Sequence, residues 1–333
     1  MLADFRWNDF GPGLNLGGMD SPAKIFIALF LACSTLFAQQ ERLHDALVLE
    51  QQGQFDAAVN VITRVIDSGQ LSEVQLGRAQ IMLGFAYRAQ GNFILAQNTF
   101  ERAISTLKGD PAHPGDYASV LENYAALYAD AGELSAAAAM WQKAFRLRRQ
   151  TGDHAGAARS LLNLAEVGLA HKHVSEARQY LQDASEEMNL ATDLADDDHM
   201  FFLETKAWLD MTENHTTAAI AGFQSALELS IKTRGEQHWL TGWEHMLLGK
   251  AYFQSADTNS ALADMQEGLA ILEHSLGRKN SKYLVSQVAY SQVLDKTGAH
   301  AEAARLRAAA EQTRKDLYGT LCAGCTISVA SFR

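Results

Sequence analysis

Small residues recur along the chain at a nearly constant spacing. Seven alanines are separated by 38, 41, 40, 42, 42 and 42 residues, and another small residue lies twelve positions before each of them. The seven pairs are Ala46 and Ala58, Gly84 and Ala96, Ala125 and Ala137, Ala165 and Ala177, Ala207 and Ala219, Gly249 and Ala261, and Ser291 and Ala303. Two antiparallel helices approach closely where both carry small side chains. The pattern therefore predicts seven helical hairpins.

Apolar residues mark the buried face of the second helix in each hairpin. In the second unit the buried stripe follows the spacing i, i+3, i+7 and i+10, with Phe93, Ala96, Phe100 and Ala103. The same stripe recurs in the other units, but in the seventh unit Arg307 takes the third position. A terminal repeat has no following neighbour to cover it, so a polar face there is expected of a cap.

Glycine between the two helices of a unit indicates a tight left-handed turn. It lies five positions before the second small residue in four units, as Gly53, Gly91, Gly132 and Gly298. Asn214 takes this place in the fifth unit, and asparagine also tolerates a left-handed conformation. Lys172 and Ala256 hold the place in the fourth and sixth units. For these two units we expect a turn of a different kind.

These units resemble the tetratricopeptide repeat (TPR). The second unit follows the TPR pattern most fully, with Leu83, Gly84, Tyr87, Gly91, Phe93, Ala96, Phe100 and Ala103. The period of 42 residues resembles the kinesin-light-chain type of this repeat. The resemblance covers roughly residues 40–317. It implies an all-α fold, a right-handed superhelical solenoid of about seven helix-turn-helix repeats with a concave groove that binds a peptide or protein.

The composition narrows the class of partner. The chain has 28 Lys and Arg against 39 Asp and Glu, a formal net charge of -11. Nucleic acids and anionic membrane surfaces both attract basic proteins, so neither is the expected partner. The hydrophobic fraction of 47% is that of a folded protein. We therefore expect a protein or peptide partner and no nucleic acid.

A leader is predicted at the N-terminus. Residues 25–37 are nearly all apolar, follow Lys24 and precede Ala38, which is the pattern of a secretory signal peptide. Met19 would give a more compact leader than Met1, so it is a candidate start. The sequence then divides into a leader, a repeat array and a tail, at 1–38, 39–317 and 318–333. Such a protein is exported, to the periplasm or outside the cell.

Three outcomes of processing stay open. Cleavage after Ala38 leaves a soluble exported scaffold. Residues 30–33 also resemble the lipobox of bacterial lipoproteins, in which Cys33 is lipidated and anchors an envelope assembly factor. An uncleaved leader would instead leave a cytosolic peptide sensor or regulator. The membrane is reached only through such a lipid anchor or an uncleaved leader.

Common catalytic motifs are missing from the sequence. It contains no phosphate-binding G-x-x-x-x-G-K-[ST], no zinc-binding H-E-x-x-H and no G-x-S-x-G nucleophile motif. His171 and His173 are read as solvated turn residues, and residues 196–198 as a linker that caps a helix. Cys322 and Cys325 form a C-x-x-C, a possible disulfide with redox chemistry as the alternative. We predict no enzyme, no cofactor and no metal.

Two asparagines are the leading candidates for contact with a bound peptide. Asn123 and Asn163 each lie two positions before the small residue of a first helix, and in the TPR family this position faces the groove. An amide both donates and accepts, as an extended backbone requires. Arg159 shares the helix face of Asn163, while Glu122 and Glu166 would favour a basic ligand segment. The alternative is that both amides only bond neighbouring helices.

Overall fold

The described part of the chain consists of helices joined by short turns. A computed structural model describes residues 39–108 and 112–318, and no β-strand occurs in these ranges. The helices are α1 (residues 39–51), α2 (Phe55–Asp67), α3 (Glu73–Ala89), α4 (Phe93–Leu107), α5 (Pro114–Asp130), α6 (Leu134–Thr151), α7 (His154–Ala170), α8 (Val174–Leu190), α9 (Asp196–Thr212), α10 (Thr216–Arg234), α11 (Trp239–Gln254), α12 (Thr258–Leu276), α13 (Ser281–Lys296) and α14 (His300–Tyr318). The predicted leader, Cys33, Cys322 and Cys325 lie outside the described residues.

The chain divides into two compact units, Met1–Asn123 and Tyr124–Arg333. In the first unit α3 packs against α2 and α4, around a core that includes Ile62 and Leu83. In the second unit each odd-numbered helix from α7 to α13 packs against the even-numbered helix that follows it. The predicted all-α class, built of helix-turn-helix repeats, is confirmed for the described residues.

The small residues that predicted the hairpins lie at their closest approaches. All fourteen are buried. A Cβ atom on Gly84 would lie 2.5 Å from the Phe100 ring, and one on Gly249 would lie 3.0 Å from the carbonyl oxygen of Ala261. A larger side chain at either glycine would therefore separate the two helices of its hairpin.

The turns at Lys172 and Ala256 do not differ from the others, so the expectation of a different turn was wrong. Lys172 has φ 61° and Ala256 has φ 65°, both in the left-handed region that glycine adopts elsewhere. After the Lys172 turn, the His173 N–H donates to the Gly168 carbonyl at 2.7 Å, as in the glycine-containing turns. Because the helix crossing fixes the turn, these residues accept a conformation that costs about 1–2 kcal/mol.

The last helix has the polar face expected of a cap. Arg307 and His300 are exposed on α14, and both contact Asp295 near the end of α13. The His300 Nδ1 atom lies 2.8 Å from one Asp295 oxygen, and Arg307 donates to the other at 3.3 Å. These positions are therefore held by contacts within their own hairpin.

Candidate functional site

The two predicted groove asparagines have the same local geometry. Asn123 donates its side-chain N–H to the Ser119 carbonyl at 2.9 Å, and Asn163 donates to the Arg159 carbonyl at 2.8 Å. Each acceptor lies four residues earlier on the same helix, and the described residues give neither amide a partner on another helix. Asn123 ends the first unit and Asn163 lies in the second. The side-chain amide oxygens of Asn123 and Asn163 can therefore each accept a hydrogen bond from a ligand.

Arg159 has a partner within the chain. Its Nε atom donates to Asp198 at 2.8 Å, and Asp198 is only 5% exposed. Asp198 also accepts the N–H of Ala195 and so caps the start of α9, while Asp197 accepts two bonds from Arg234. Asp198 has the predicted capping role, but residues 196–198 form the first turn of α9 and are not the exposed linker that was expected. Arg159 joins α7 to the start of α9.

Glu122 and Glu166 are both half-buried, the first in the first unit and the second in the second unit. Burial raises the pKa of the Glu166 carboxyl to about 8, with a further increase from Glu204 and an opposing effect of Lys282. Glu166 is therefore one member of a larger charged group.

Four successive first helices of the second unit each contribute one charged side chain to this group. They are Glu166 on α7, Glu204 on α9, Glu244 on α11 and Lys282 on α13. Relative to the small residue of each first helix, they lie at positions +1, -3, -5 and -9. Because their place shifts along the helix from repeat to repeat, no single repeat position reveals them. A search for charges that shift by two to four residues per repeat toward the start of each first helix would have found them.

Glu244 is the most deeply buried member, with 0% exposure. In the described part of the chain, no donor lies within hydrogen-bonding distance of either of its carboxylate oxygens. The Glu204 carboxyl is within reach of it, but two carboxylates bond each other only when one carries a proton. Burial is the main cause that raises the pKa of both groups, and the pair therefore retains a proton above the usual range.

Tryptophan rings and lysine ammonium groups line the same helices. The Lys282 Nζ atom lies 4.0 Å from the ring centre of Trp243 and 5.5 Å from that of Trp239. Lys250 on α11 lies 4.0 Å from the ring centre of Trp208 on α9. Burial lowers the pKa of Lys250 to about 7. We call the surface carried by α7, α9, α11 and α13 of the second unit the first-helix face.

One group of three described side chains has metal-like spacing. Ligand atoms of Asp210, Glu213 and His215 lie within 4.8 Å of one another at the turn between α9 and α10. Lys206 pairs with Asp210, and Arg178 pairs with Glu213. These carboxylates thus already have basic partners. Separately, none of the described helices is long and apolar enough to cross a membrane.

Comparison with known proteins gives the repeat type. Two family models, both described as tetratricopeptide repeat, match residues 77–106 and 116–186. Among curated proteins, none matches this chain.

Three solved structures are similar in fold. The apo form of RapI is 13% identical and covers 84% of this chain and 98% of its own, with a TM-score of 0.59. A Rap protein complexed with competence and sporulation factor is 12% identical with the same coverage, and its TM-score is 0.52. The APC/C hetero-tetramer Cut9-Hcn1 is 17% identical, covers 86% of this chain and 55% of its own, and has a TM-score of 0.50. The chain therefore carries tetratricopeptide repeats, in an all-α fold shared with these proteins.

Proposed function

We propose that the protein is a non-catalytic scaffold that binds a peptide, or a segment of a partner protein, on the first-helix face. The observation that carries the proposal is the concentration of Trp208, Trp239 and Trp243 on α9 and α11, all only partly buried. Each ring packs in part against the buried core of the second unit and also remains partly exposed, so the three rings can offer aromatic surface to a ligand. Tryptophan is enriched among the residues that dominate binding at protein interfaces.

Hydrogen-bonding groups on the same face support an extended ligand backbone. The amide oxygen of Asn163 remains to accept a bond. The buried indole N–H of Trp239 has no acceptor among the described residues. A peptide backbone offers both N–H and carbonyl groups, so it can supply the donor that the Asn163 oxygen accepts. The Rap protein of similar fold is seen in complex with competence and sporulation factor, which agrees with a binding function for this fold.

The proposal includes export with a cleaved leader, as the apolar run over residues 25–37 predicts. The acidic net charge of -11 fits a protein partner better than a nucleic acid. The 42-residue separation of Thr216, Thr258 and His300, where α10, α12 and α14 begin, supports the kinesin-light-chain type of repeat.

Peptide selection tests the binding function. The full chain is used to select binders from a random peptide display library, and the dissociation constant of the best peptide is measured. Asn163→Ala should raise the dissociation constant of this peptide by about tenfold, because one hydrogen bond to the peptide backbone is lost. The exposed Asn259 on α12 offers the matched control, and Asn259→Ala should leave the constant unchanged. Equal affinity of the wild type and Asn163→Ala would remove Asn163 from the site, and failure to select any peptide would contradict the function.

A further inference from the structure

Glu166, Glu204 and Glu244, here called the glutamate cluster, are not explained by the packing of the repeats. We infer that the glutamate cluster binds a cationic side chain of the ligand, with arginine as the preferred residue. This inference rests on the proposed function, since it names the chemistry of the segment that the first-helix face takes.

The glutamate cluster has fewer positive charges and hydrogen-bond donors around it than its carboxyl groups require. Within the described residues, three carboxyl groups face one ammonium group, that of Lys282. Lys282 lies over the rings of Trp243 and Trp239, and it does not donate to Glu244, whose two oxygens have no donor in the described residues. A buried carboxyl group whose oxygens receive no donor from the rest of the described chain is destabilising, so a site that keeps one is suited to a ligand that supplies donors.

A ligand can reach the cluster from the surface. Glu166 and Glu204 are only partly buried, whereas Glu244 is fully buried. A cationic group that reaches Glu204 from the surface is therefore also near Glu244, because the two carboxyl groups lie within hydrogen-bonding reach of each other. Lys282, which acts on Glu204 and Glu244, lies 4.0 Å from the ring centre of the partly exposed Trp243, so an aromatic ring also lies near the cluster.

Arginine matches this arrangement better than lysine. A guanidinium group carries five N–H donors in a planar fork, which binds two carboxylates at once, and its flat face stacks on aromatic rings. A lysine ammonium has three donors and is more strongly hydrated, so it loses more on entry. The chain's own Lys282 shows that a cation is accommodated over these indole rings.

Blocked synthetic peptides test the inference directly. The probe is Ac-Ala-Arg-Ala-Arg-Ala-NH2, and its matched control has citrulline, a neutral analogue of the same shape, in place of each arginine. Binding to the full chain is measured by isothermal titration calorimetry at physiological salt, which screens the general attraction of an acidic protein. The arginine peptide should bind at least about tenfold more tightly than the citrulline peptide. A third peptide, with lysine in place of each arginine, should bind with an affinity between those of the other two. Equal affinities of the arginine and citrulline peptides overturn the inference.

Charge-neutral variants locate the binding in the cluster. Glu204→Gln and Glu244→Gln should each weaken the arginine peptide by about tenfold, since each removes a charged acceptor. Glu228 on α10 and Glu267 on α12 are exposed, so Glu228→Gln and Glu267→Gln remove the same charge outside the cluster and should change the constant less than about twofold. If Glu244→Gln does not fold, Glu204→Gln alone decides. Equal losses in the cluster and control variants overturn the inference.

Proton release provides a second, independent measurement. The charged groups that act on the cluster are Lys282 and Asp197, and Asp197 is held by Arg234. Burial raises the pKa of both Glu204 and Glu244, and an arriving guanidinium favours their charged forms, so binding should release a proton from the pair. The heat of binding should therefore depend on the ionisation enthalpy of the buffer, and Glu204→Gln should abolish the dependence. If selected peptides bind the face without any cationic residue, the inference fails while the proposed function stands.

Discussion

Glu166 illustrates, at the scale of one residue, how burial links a binding face to stability. Its carboxyl has a pKa of about 8 in the folded protein, raised mainly by burial from the ordinary value of 4.5 that it has in the unfolded chain. The folded protein therefore holds a proton that the unfolded chain releases between these pH values. The contribution of the Glu166 proton to the free energy of unfolding is complete below pH 4.5, and it is lost as the pH rises through about 8.

Replacement of this carboxyl by a neutral amide should remove its share of the pH dependence. In urea unfolding at pH 5, 6, 7 and 8, the wild-type free energy of unfolding should decline with pH, and the decline should be smaller in Glu166→Gln. Glu228→Gln, at an exposed site on α10, should keep the wild-type slope. A Glu166→Gln slope as steep as that of the wild type would show that this carboxyl does not hold its proton in the folded state.

Ala256 carries a second residue-scale prediction. It has φ 65° in the turn between α11 and α12, where glycine has no steric penalty. Ala256→Gly should therefore raise the free energy of unfolding by about 1 kcal/mol. The reverse change at the equivalent turn, Gly132→Ala at φ 84°, should lower it by a similar amount. Denaturant unfolding measures both, and a destabilised Ala256→Gly would contradict the strain assigned to this turn.

At the scale of the element, the crossing of α11 and α12 depends on two glycines. A Cβ atom on Gly268 would lie 2.5 Å from the carbonyl oxygen of Gly242, so the two helices would have to separate. Gly268→Ala should lower the free energy of unfolding by about 1–3 kcal/mol, the usual range for overpacking. The exposed Gln266 on the same helix is the control, and Gln266→Ala should be close to neutral. Thermal unfolding of both variants tests this prediction. Equal midpoint temperatures of Gly268→Ala and Gln266→Ala would contradict the close approach of α11 and α12.

The elements were more predictable from the sequence than the site. Pairs of small residues twelve positions apart predicted every hairpin, because close helix crossings leave little choice of residue. The turn at Lys172 was predicted wrongly, because the geometry of the two helices overrides the preference of one residue. The contact between Arg159 and Asp198 joins two repeats over a long stretch of sequence, so no local pattern indicated it.

The glutamate cluster shows the same limit for function. Glu166 was predicted to lie on the binding face, but Glu204 and Glu244 were not, since their positions shift along successive first helices. The significance of Glu244 depends on its complete burial and its lack of donors, which are properties of the packed array. Spacing in the sequence does not report such properties.

At the scale of the whole molecule, the proposed export makes a prediction about mass. Protein purified from its native cell should have the mass of residues 39–333, because cleavage after Ala38 removes the leader. A mass that begins at Cys33 and includes acyl chains would instead identify the lipid-anchored form. A mass that begins at Met1 or Met19 would contradict export. Intact-mass spectrometry with the cell fraction recorded distinguishes the three results.

The central claim is that the first-helix face of the second unit binds the ligand, and one comparison of affinities tests it most directly. The peptide selected with the full chain is titrated against the wild type, Trp243→Ala and Leu190→Ala. Leu190 is 58% exposed on α8 and controls for loss of an apolar side chain elsewhere. We predict that Trp243→Ala weakens the peptide by at least about thirtyfold, as at an interface hot spot, and that Leu190→Ala does not. Equal affinity of all three proteins would contradict the claim.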